Sequence, residues 1–534
     1  MLLTRFKRTR RALIAAVAIT GLFVIPLAVS QAHASTTASS ETAFVSKINP
    51  FTSGDFLRGI WRRYAGLSVP ATSASLAAFK PGVSIRFADG QVRKISKVYR
   101  VGNNISVYVE GALLDGKTVG YPNTVSTVPT PSPVATPAPA PAPAPAPLAP
   151  VTSTTPAFVA KGVIKGIDIT PPVDDWEAPA YGMTQARLIA LRGAGFNTLR
   201  IWISLEEFLA PPVSMDATVS RWIGYINRSA QAGFRVHVSW ASTWDERIAA
   251  VNDPSTRARF HTALNAMCSA MGSYFSEQKV ALEMLNEPPG ESLTPGYYST
   301  AAPGWFSTCR AVAPRMTIIL QPEAGWHGAL GRFNLSQYDN NTMFSFHPYA
   351  PGEFTHQGIG SQPHLYNVPM PITRYVGGKA QMVADVSARV NADQRLTAQQ
   401  KSTEIVRYTR LIDDLWWDNG SRWEDWTELQ RWVAASGINP KRIIAGEFGV
   451  VSELNYNGVP ALADVASRAH FMRKIKDQTE ANQFAGWVVH QALGDFNLFQ
   501  QSSVGQHGDT LIPELVEALF GSQPLPLGPP VSGR

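Results

Sequence analysis

The chain of 534 residues is poor in cysteine and in charge, and both shortages limit what it can be. Its two cysteines cannot form a disulfide framework. Neither Cys268 nor Cys309 has the neighbours of a catalytic thiol or a zinc site. The pattern predicts one of them in the helix before the strand at 280–285 and the other in the helix after it. Because neighbouring helices could bring them together, a single bridge and two free thiols both remain open.

Charged residues make up 16% of the chain, and the net charge of +7 is concentrated at the N-terminus. The first 34 residues contain five cations and no acid: Arg5, Lys7, Arg8, Arg10 and Arg11. Without these five, the net charge falls to +2. No basic stripe remains in the rest of the chain, which excludes a typical nucleic-acid-binding protein.

The same N-terminal segment is typical of a secretory signal peptide. An apolar run at 12–29 follows the cations, and the small-residue pattern Ala32-His33-Ala34 follows the run. We therefore expect residues 1–34 to be removed and the protein to be secreted, either extracellular or periplasmic. An uncleaved membrane anchor is the alternative, because the run is about long enough to span a bilayer. Twin-arginine export at Arg10-Arg11 fits the flanking residues poorly.

A proline-rich stretch divides the rest of the chain. Residues 128–157 contain a long Ala-Pro alternation, which predicts an extended, semi-rigid linker. Before it, residues 41–127 contain alternating segments at 83–87, 97–101 and 105–109 with turns between them, which predict a small β-rich module. At the other end, we expect a flexible tail at 523–534.

Strands and helices alternate over residues 158–522 with the rhythm of a (β/α)8 barrel, also called a TIM barrel. The eight predicted strands lie near 164–169, 198–203, 235–240, 280–285, 317–321, 342–347, 442–446 and 484–490. Helical patterns such as 184–194 and 218–232 lie between them. About a hundred residues separate strands six and seven, including the helical, tryptophan-rich stretch at 403–435. An insertion this long is expected to shape a binding groove.

Two of the predicted strands end in a carboxylate. One leads to Asn286-Glu287-Pro288, and the other leads to Glu447, which is flanked by glycines that would let the backbone bend closely around a ligand. Working groups of barrel enzymes lie where strands end, and two carboxylates there suit glycoside hydrolysis. One must stay protonated and the other ionised, which burial and like-charge proximity would arrange. A simple polar turn is the alternative for 286–288.

Over residues 162–520 the chain resembles glycoside hydrolase family 5, the cellulase family, within the clan of (β/α)8 retaining glycosidases. The similar motifs occur in the family's order, and 351–358 resembles a segment of bacterial members. The motifs are Arg200 in 195–201, Asn286-Glu287-Pro288, His347 and Tyr349 in 346–349, and Glu447 in 446–449.

The resemblance implies a role for each of these residues. Glu447 would be the nucleophile and Glu287 the acid/base. Arg200 would bind the Glu447 carboxylate, with a purely structural ion pair as the alternative. Asn286 would bind the sugar 2-hydroxyl.

His347 and Tyr349 would line the cleft, with the tyrosine hydroxyl near the nucleophile and the histidine near the acid/base. A buried, structural histidine is the alternative for His347. Glu323 is the main competitor for a catalytic carboxylate, but it lacks the Gly-Glu-Phe-Gly setting. No metal or organic cofactor is implied.

Sugar rings have apolar faces, so aromatic side chains are expected along the groove. Five tryptophans fall at or near predicted strand ends, and we expect only two of the five to bind substrate. They are Trp202, Trp240, Trp244, Trp326 and Trp487. Our substrate-binding candidates are Trp240, Trp326, Trp487 and His490.

Two departures from the family pattern affect these candidates. The third strand commonly ends in Asp-x-His, whereas here either His237 is shifted or Trp240 stands in its place. The eighth strand commonly supplies a tryptophan beneath the reacting sugar. Here His490 occupies that position, with Trp487 three residues earlier.

These expectations combine into a secreted retaining β-glycosidase acting on a β-linked polysaccharide, with an endo-β-1,4-glucan as the first choice. Mannan, β-1,3- or mixed-linkage glucan and short glucosides are alternatives under the same mechanism. A non-catalytic polysaccharide-binding barrel is the alternative from another class. We expect a monomer whose partner is the polysaccharide, with membrane contact only if the N-terminal segment is uncleaved. The module at 41–127 would hold polymer or cell envelope, or act only as a spacer.

Overall fold

The computed structural model describes residues 155–169, 182–211, 214–418, 423–452, 462–503 and 506–532 in the C-terminal part of the chain. In the N-terminal part it describes residues 79–80 and six short strands. The predicted signal peptide at 1–34 and the predicted linker up to residue 154 lie outside these residues. The chain divides into two compact units, one with the N-terminal strands and the other with the barrel.

The N-terminal strands form one sheet in which all the described pairs are antiparallel. They are arranged in the order β1-β2-β5-β4-β3-β6. Their bounds are β1 (Ile48–Asn49), β2 (Ala65–Pro70), β3 (Ser84–Phe87), β4 (Val92–Val101), β5 (Asn104–Val109) and β6 (Val119–Pro122). The predicted segment at 83–87 overlaps β3, and those at 97–101 and 105–109 lie within β4 and β5. The extent and role of a module at 41–127 stay predictions.

Eight parallel strands close a barrel in the C-terminal unit. They are β7 (Ile164–Ile169), β8 (Thr198–Ser204), β9 (Arg235–Ala241), β10 (Val280–Glu283), β11 (Thr317–Leu320), β12 (Thr342–Phe346), β13 (Ile443–Phe448) and β14 (Gly486–Val489). The last strand, β14, pairs with the first, β7, so the barrel has no open edge. Each predicted strand is present, and the expected (β/α)8 fold is confirmed.

The barrel strands are apolar and mostly buried, as parallel strands covered on both faces should be. Side chains alternate between the barrel interior and the surrounding helices. Six strands contribute to one apolar cluster, and they can meet only inside the barrel. This alternation decides which polar side chains reach the interior and which aromatic ones face the helices.

Helices follow most of the strands and cover the outside of the barrel. Those described are α1 (Gln185–Ala194), α2 (Leu205–Leu209), α3 (Met215–Gln231), α4 (Trp244–Asn252), α5 (Pro254–Tyr274), α6 (Ala302–Val312), α7 (Gly352–Thr355), α8 (Gly378–Ala392), α9 (Ala398–Asp418), α10 (Thr427–Ser436), α11 (Val465–Ala481) and α12 (Pro513–Phe520). Local signals set the ends of the predicted helix at 184–194. The Thr184 hydroxyl accepts a hydrogen bond from the Arg187 N–H, and Gly195 ends α1 with a φ of 110°.

The long segment between β12 and β13 contains the helices α7 to α10, in agreement with the predicted insertion. The C-terminal tail packs against this insertion. Val531 pairs with Tyr375, and Arg374 donates hydrogen bonds to the carbonyls of Gly528 and Pro529. The prediction of a flexible tail was therefore wrong for residues 523–532, because backbone and guanidinium contacts hold them.

A disulfide joins Cys268 in α5 to Cys309 in α6, with the two Cα atoms 5.4 Å apart. Both cysteines are fully buried. The open question of a single bridge or two free thiols is thus answered in favour of the bridge. It fastens together the helices on either side of β10, the strand that leads to Glu287.

Among the described residues, no helix has the length and apolarity needed to cross a membrane. The apolar run at 12–29 lies outside those residues.

Candidate active site

Glu447 and Glu287 reach the same end of the barrel from different strands. Glu447 lies near the end of β13, and Glu287 follows β10. Since the strands are parallel, both arrive at the C-terminal edge of the barrel. One carboxylate oxygen of Glu447 lies within 4.8 Å of one of Glu287. The structure therefore brings together the two carboxylates singled out in the sequence.

Glu287 lies on a loop in an unusual backbone conformation, with a φ of 42°. This left-handed conformation costs about 1 kcal/mol or more in a residue other than glycine. Two contacts hold it: Arg247 Nη1 donates to the Glu287 carbonyl at 2.8 Å, and the Glu287 N–H donates to Gln321 Oε1. The loop after β10 is thus fixed by side chains from α4 and from the end of β11.

Arg200, from β8, is fully buried and connects the acids of the site. Its Nη1 donates to Glu447 Oε2 at 2.6 Å and to Asp168 Oδ1 at 3.0 Å. Its Nη2 donates to Asn286 Oδ1 at 2.7 Å and to Glu283 Oε1 at 3.0 Å. Burial alone would lower the pKa of Arg200, but the carboxylates of Asp168, Glu283 and Glu447 outweigh it and raise the pKa well above its usual range. Arg200 therefore stays charged and orients Glu447.

The other oxygen of Glu447 accepts a hydrogen bond from the Tyr349 hydroxyl at 3.0 Å. Burial and the nearby Glu447 charge raise the pKa of Tyr349 well above its usual range, so the hydroxyl remains a donor. Since Arg200 and Tyr349 bind different oxygens, the orientation of the carboxylate is fixed. The oxygen of the Asn286 amide is occupied by Arg200, which leaves its nitrogen as the group for a ligand.

His347 lies between the two carboxylates. Its Nδ1 is 2.9 Å from Glu287 Oε1 and its Nε2 is 3.8 Å from Glu447 Oε2. Burial lowers the pKa of His347, but the charges of Glu447 and Glu287 and the hydrogen bond to Glu287 outweigh it and raise the pKa. Burial raises the pKa of Glu287, whereas the hydrogen bond from His347, and the charge of that ring when it is doubly protonated, lower the pKa. The expectation that burial and like charge alone keep Glu287 protonated was therefore incomplete, because His347 competes for the same proton.

Glu283 and His237 lie beneath these groups, fully buried. His237 Nε2 is 2.6 Å from Glu283 Oε2. Burial would raise the pKa of Glu283, but Arg200 and His237 outweigh it and lower the pKa far below its usual range. Of the two readings for the third strand, a shifted His237 fits. The His237 ring lies in the barrel interior, where it contacts Glu283. Glu283 in turn accepts a hydrogen bond from Arg200.

Trp240 and Trp487, expected to bind substrate, do not reach the cleft. Both are 0% exposed. Trp240 packs edge-on against Phe208 and Phe260, and Trp487 packs against aromatic rings that include Phe196. These two predictions were wrong because both side chains point outward from their strands, toward the helices.

Two other tryptophans from the sequence set are exposed near residues that contact Glu287. Trp326 is 41% exposed and follows Gly325, whose carbonyl accepts the His347 N–H at 2.8 Å. Trp244 is 42% exposed, and the guanidinium of Arg247 lies 5.5 Å from the centre of its ring. Both are placed where a sugar could stack on them.

His490 lies next to Glu447, as expected for its position after β14. Its Nδ1 is 3.0 Å from Asp168 Oδ2 and 3.7 Å from Glu447 Oε1. The ring stacks on Trp202, with centroids 5.3 Å apart and an angle of 22° between the planes. An imidazole held by a carboxylate and an indole thus takes the place beside Glu447 where the family pattern has tryptophan.

The glycines on either side of Glu447 lie against other atoms of the protein. A Cβ atom on Gly446 would lie 1.8 Å from Ser345 Oγ, and one on Gly449 would lie 2.2 Å from the His490 carbonyl oxygen. The approach of the backbone to a ligand at this point stays a prediction. The glycines let the neighbouring strands approach closely.

Glu323, the competitor for a catalytic role, is engaged elsewhere. Its Oε2 accepts hydrogen bonds from Arg332 Nη1 at 2.7 Å and from the Glu291 N–H at 2.9 Å. These contacts stabilise the loop before Trp326.

Four residues of the site were missed in the sequence: Asp168, Arg247, Glu283 and Gln321. Asp168, Glu283 and Gln321 lie at or near the C-terminal ends of apolar strands, the signal that identified Glu447. A polar side chain inside an apolar strand could therefore have pointed to them. Arg247 lies on a helix, and no sequence signal separates it from other helical arginines.

Two groups of side chains offer atoms close enough for one cation: Asp168, Glu447 and His490, and Glu287, His347 and Glu447. In both, the Arg200 guanidinium already binds Glu447, and in the first it also binds Asp168. The protein's own cation thus neutralises charge that a metal would have to share.

A family model described as cellulase (glycosyl hydrolase family 5) matches residues 158–491. This match covers more than half of the chain and includes the whole barrel and both carboxylates. The chain belongs to glycosyl hydrolase family 5. It is a glycosyl hydrolase, and the resemblance of its motifs to this family is confirmed.

Solved structures are similar to this chain at low sequence identity. One described as an endoglucanase is 18% identical, with a TM-score of 0.46, and the match covers 69% of this chain and 100% of that one. Thermotoga maritima Cel5A in complex with cellobiose is 21% identical, with a TM-score of 0.45 and coverages of 68% and 100%. The cellulose synthase subunit Z of Clostridioides difficile is 18% identical, with a TM-score of 0.45 and coverages of 67% and 99%. A comparison with curated proteins found no match.

Proposed function

We propose that this family 5 hydrolase is an exported, retaining β-glycosidase that cuts a β-linked polysaccharide, with a β-1,4-glucan as the favoured substrate. The observation that carries the retaining mechanism is the short separation of Glu287 and Glu447, since one carboxylate oxygen of each lies within 4.8 Å of the other. Retaining enzymes hold the two carboxyl groups about 5–5.5 Å apart, and inverting enzymes about 6.5–9.5 Å.

In the first step, a carboxylate oxygen of Glu447 forms a bond to the anomeric carbon. The bond from that carbon to the leaving oxygen breaks, and Glu287 gives its proton to the leaving oxygen. Arg200 and Tyr349 hold Glu447 for this attack. The Asn286 amide nitrogen would donate to the sugar 2-hydroxyl, a contact that strengthens in the transition state.

In the second step, water replaces the enzyme at the anomeric carbon. Glu287, now ionised, takes a proton from the water while the water oxygen bonds to that carbon and the bond to Glu447 breaks. The site then returns to its starting protonation. This mechanism requires no metal or organic cofactor.

Support for a polymer as substrate comes from exposed aromatic side chains near residues that contact Glu287. Trp244 and Trp326 could each carry a sugar ring of an extended chain. Support for export comes from the N-terminal sequence alone. Mannan, β-1,3-glucan and mixed-linkage glucan remain substrates to test, since the groove loops decide between them.

The test is reducing-sugar release from a panel of soluble β-glucans and mannans, comparing wild type with Glu447→Gln and Glu287→Gln. We expect one polymer to be cut and both substitutions to abolish cutting, with the thermal midpoint of each variant showing that it folds. Proton NMR of the first product should show the β-anomer. Release of the α-anomer would overturn retention, and a wild type that binds a polymer without cutting any would favour a binding protein.

A further inference from the structure

Gln321 follows β11 and contacts both partners of the proton-sharing pair. Its Oε1 accepts the backbone N–H of Glu287, and its Nε2 lies 2.6 Å from His347 Nε2. The same Nε2 donates to Glu283 Oε1 at 3.0 Å. The side chain is fully buried, and the Tyr297 hydroxyl donates to the Gln321 carbonyl at 2.6 Å. Gln321 is therefore held firmly from both its backbone and its side chain.

The orientation of the Gln321 amide follows from its neighbours. A backbone N–H can only donate, so the amide oxygen must face Glu287. An ionised carboxylate can only accept, so the amide nitrogen must face Glu283. Both requirements agree, and the nitrogen's second hydrogen is then directed to His347 Nε2.

This donor decides which hydrogens His347 can carry. A ring nitrogen that accepts a hydrogen bond has no hydrogen of its own, so His347 Nε2 is unprotonated and Nδ1 bears the hydrogen. Nδ1 then donates to Glu287 Oε1 at 2.9 Å. A second proton on the ring would set an N–H of His347 against an N–H of Gln321.

We propose that Gln321 is a positioning residue that keeps His347 neutral and so leaves the shared proton on Glu287. Because Oε1 accepts from His347, the proton of Glu287 lies on Oε2, which faces Arg247 Nη1 at 3.7 Å and would give the proton to the leaving oxygen. Without Gln321, the proton would move to His347, and Glu287 would be an ionised carboxylate that cannot act as an acid. This inference rests on the proposed function and adds a residue to it.

The other charged and titratable groups facing this pair act on both proton positions. The group consists of Arg200, Arg247, Glu283, Glu447, Tyr349, His356 and His490. Burial lowers the pKa of His356 to about 4, so it is neutral. Glu447 favours a proton on His347, whereas the charge of Arg200 and the amide N–H of Gln321 oppose it.

The pH profile of kcat/KM distinguishes this role from a structural one. Consider Gln321→Glu, which keeps an acceptor for the Glu287 N–H but removes the donor, and Gln321→Met, which removes both. Both variants remove the N–H that opposes a proton on His347. Gln321→Met adds no charge, so the energy of protonated Glu287 relative to the unprotonated pair is unchanged, whereas Gln321→Glu adds a negative charge that stabilises a proton on either residue. The pair then holds its proton more tightly, but mostly at the wrong site.

For Gln321→Met we therefore expect the plateau of kcat/KM on a β-glucan to fall about tenfold and its upper pH limit to rise by about one unit, so that the profiles converge at high pH. An aryl glycoside with a strongly acidic leaving phenol needs no proton from Glu287, so its cleavage step should change much less. Gln399→Glu, which adds the same charge at an exposed position on α9, should leave both readouts unchanged.

A Gln321 variant whose profile runs parallel below wild type at every pH, on both substrates, would overturn the proposal, as would an unchanged profile. If the variants do not fold, nitrogen NMR of histidine-labelled wild type supplies the answer. We expect an unprotonated Nε2 at His347, assigned by comparison with His347→Gln, and a protonated Nε2 would contradict us. A wild type that cleaves neither substrate would instead refute the glycosidase function itself.

Discussion

Arg200 shows how much a single buried side chain can organise. It binds three carboxylates and one amide, and its charge is the compensation that allows those acids to be buried. A guanidinium suits this position because its fork supplies several donors in fixed directions, whereas an ammonium supplies one point charge. The catalytic geometry and the stability of the barrel interior therefore depend on the same residue.

Replacing Arg200 should separate charge from geometry. Arg200→Met leaves buried carboxylates without their cation and should destabilise the protein by about 3–5 kcal/mol. Arg200→Lys keeps the charge but loses most of the bonds, and should lower kcat/KM by about 10- to 100-fold. Thermal unfolding and steady-state kinetics measure the two effects.

The control is Arg221→Lys at the half-exposed ion pair with Glu207, which should cost less than about 1 kcal/mol. Equal losses at Arg200 and Arg221 would contradict the special role of Arg200.

The Tyr349 hydroxyl offers a narrower test. Tyr349→Phe removes one hydrogen bond to Glu447 and should lower kcat/KM about tenfold, because a bond to a charged group contributes about 1.5–3 kcal/mol. Tyr338→Phe is the matched control, since the buried Tyr338 hydroxyl has no hydrogen-bond partner among the described residues. If both variants keep wild-type kinetics, Tyr349 does not support the nucleophile.

For single residues, the sequence correctly predicted the position of side chains that belong to a recognisable motif. Arg200, His347 and Tyr349 lie beside the two carboxylates, as their motifs implied. The direction of a side chain was harder to predict. Trp240 is one residue beyond the inward-facing Ser239, and that single step turns it from the barrel interior to the helices.

Among the elements, α5 and α6 are joined by the disulfide Cys268–Cys309, which closes a loop of 41 residues. The chain-entropy model gives such a bridge about 4 kcal/mol of stabilisation. We expect Cys268→Ala/Cys309→Ala to unfold at a lower temperature, and wild type in reductant to approach it. Kinetics at 25 °C should be unchanged, since the cysteines are in helices outside the barrel. An equal midpoint for wild type and variant would show that packing alone sets the helix contact.

The insertion between β12 and β13 contains a buried acid, Glu424, which accepts hydrogen bonds from the Ala350 N–H and from Trp426 Nε1. Burial raises the pKa of Glu424 from 4.5 to about 7. The folded state therefore binds this proton more tightly than the unfolded state does. Glu424 makes its whole contribution to the free energy of unfolding below about pH 4.5. This contribution, about 3 kcal/mol, is lost as the pH rises to about 7.

Glu424→Met should lack that loss. The difference in thermal midpoint between wild type and Glu424→Met should accordingly shift in favour of the variant between pH 4.5 and 7 and stay constant above. Glu428→Met, at an exposed position on α10, should follow wild type at every pH. A constant difference between wild type and Glu424→Met would mean that Glu424 is ionised in the folded protein throughout.

Elements were predicted well where periodicity was strong and poorly where order depends on distant contacts. The eight barrel strands are short apolar runs, and each was found. The tail at 523–532 has no periodicity, and its contacts with Arg374 and Tyr375 join segments about 150 residues apart. No local pattern in the sequence records such a contact.

For the whole molecule, the sequence leaves two roles for the N-terminal module, which are holding polymer through its tether and acting only as a spacer, and the first of them can be tested. A chain that starts after the linker should cut a soluble glucan at the wild-type rate but an insoluble one about tenfold more slowly, because the module no longer raises the local concentration of enzyme on the polymer. Rates on matched soluble and insoluble forms of one polysaccharide measure this. The same ratio in both proteins would identify the module as a spacer.

The closure of the barrel by β7 and β14 has a consequence for the chain before it has finished folding. Asp168 comes from the first barrel strand and His490 follows the last. The two residues are 322 positions apart in the chain, yet they are within hydrogen-bond distance of each other beside Glu447. The nucleophile's surroundings thus exist only after the ends of the barrel have met. A growing or partly folded chain lacks the completed site, so we expect hydrolysis to begin only when the barrel has closed.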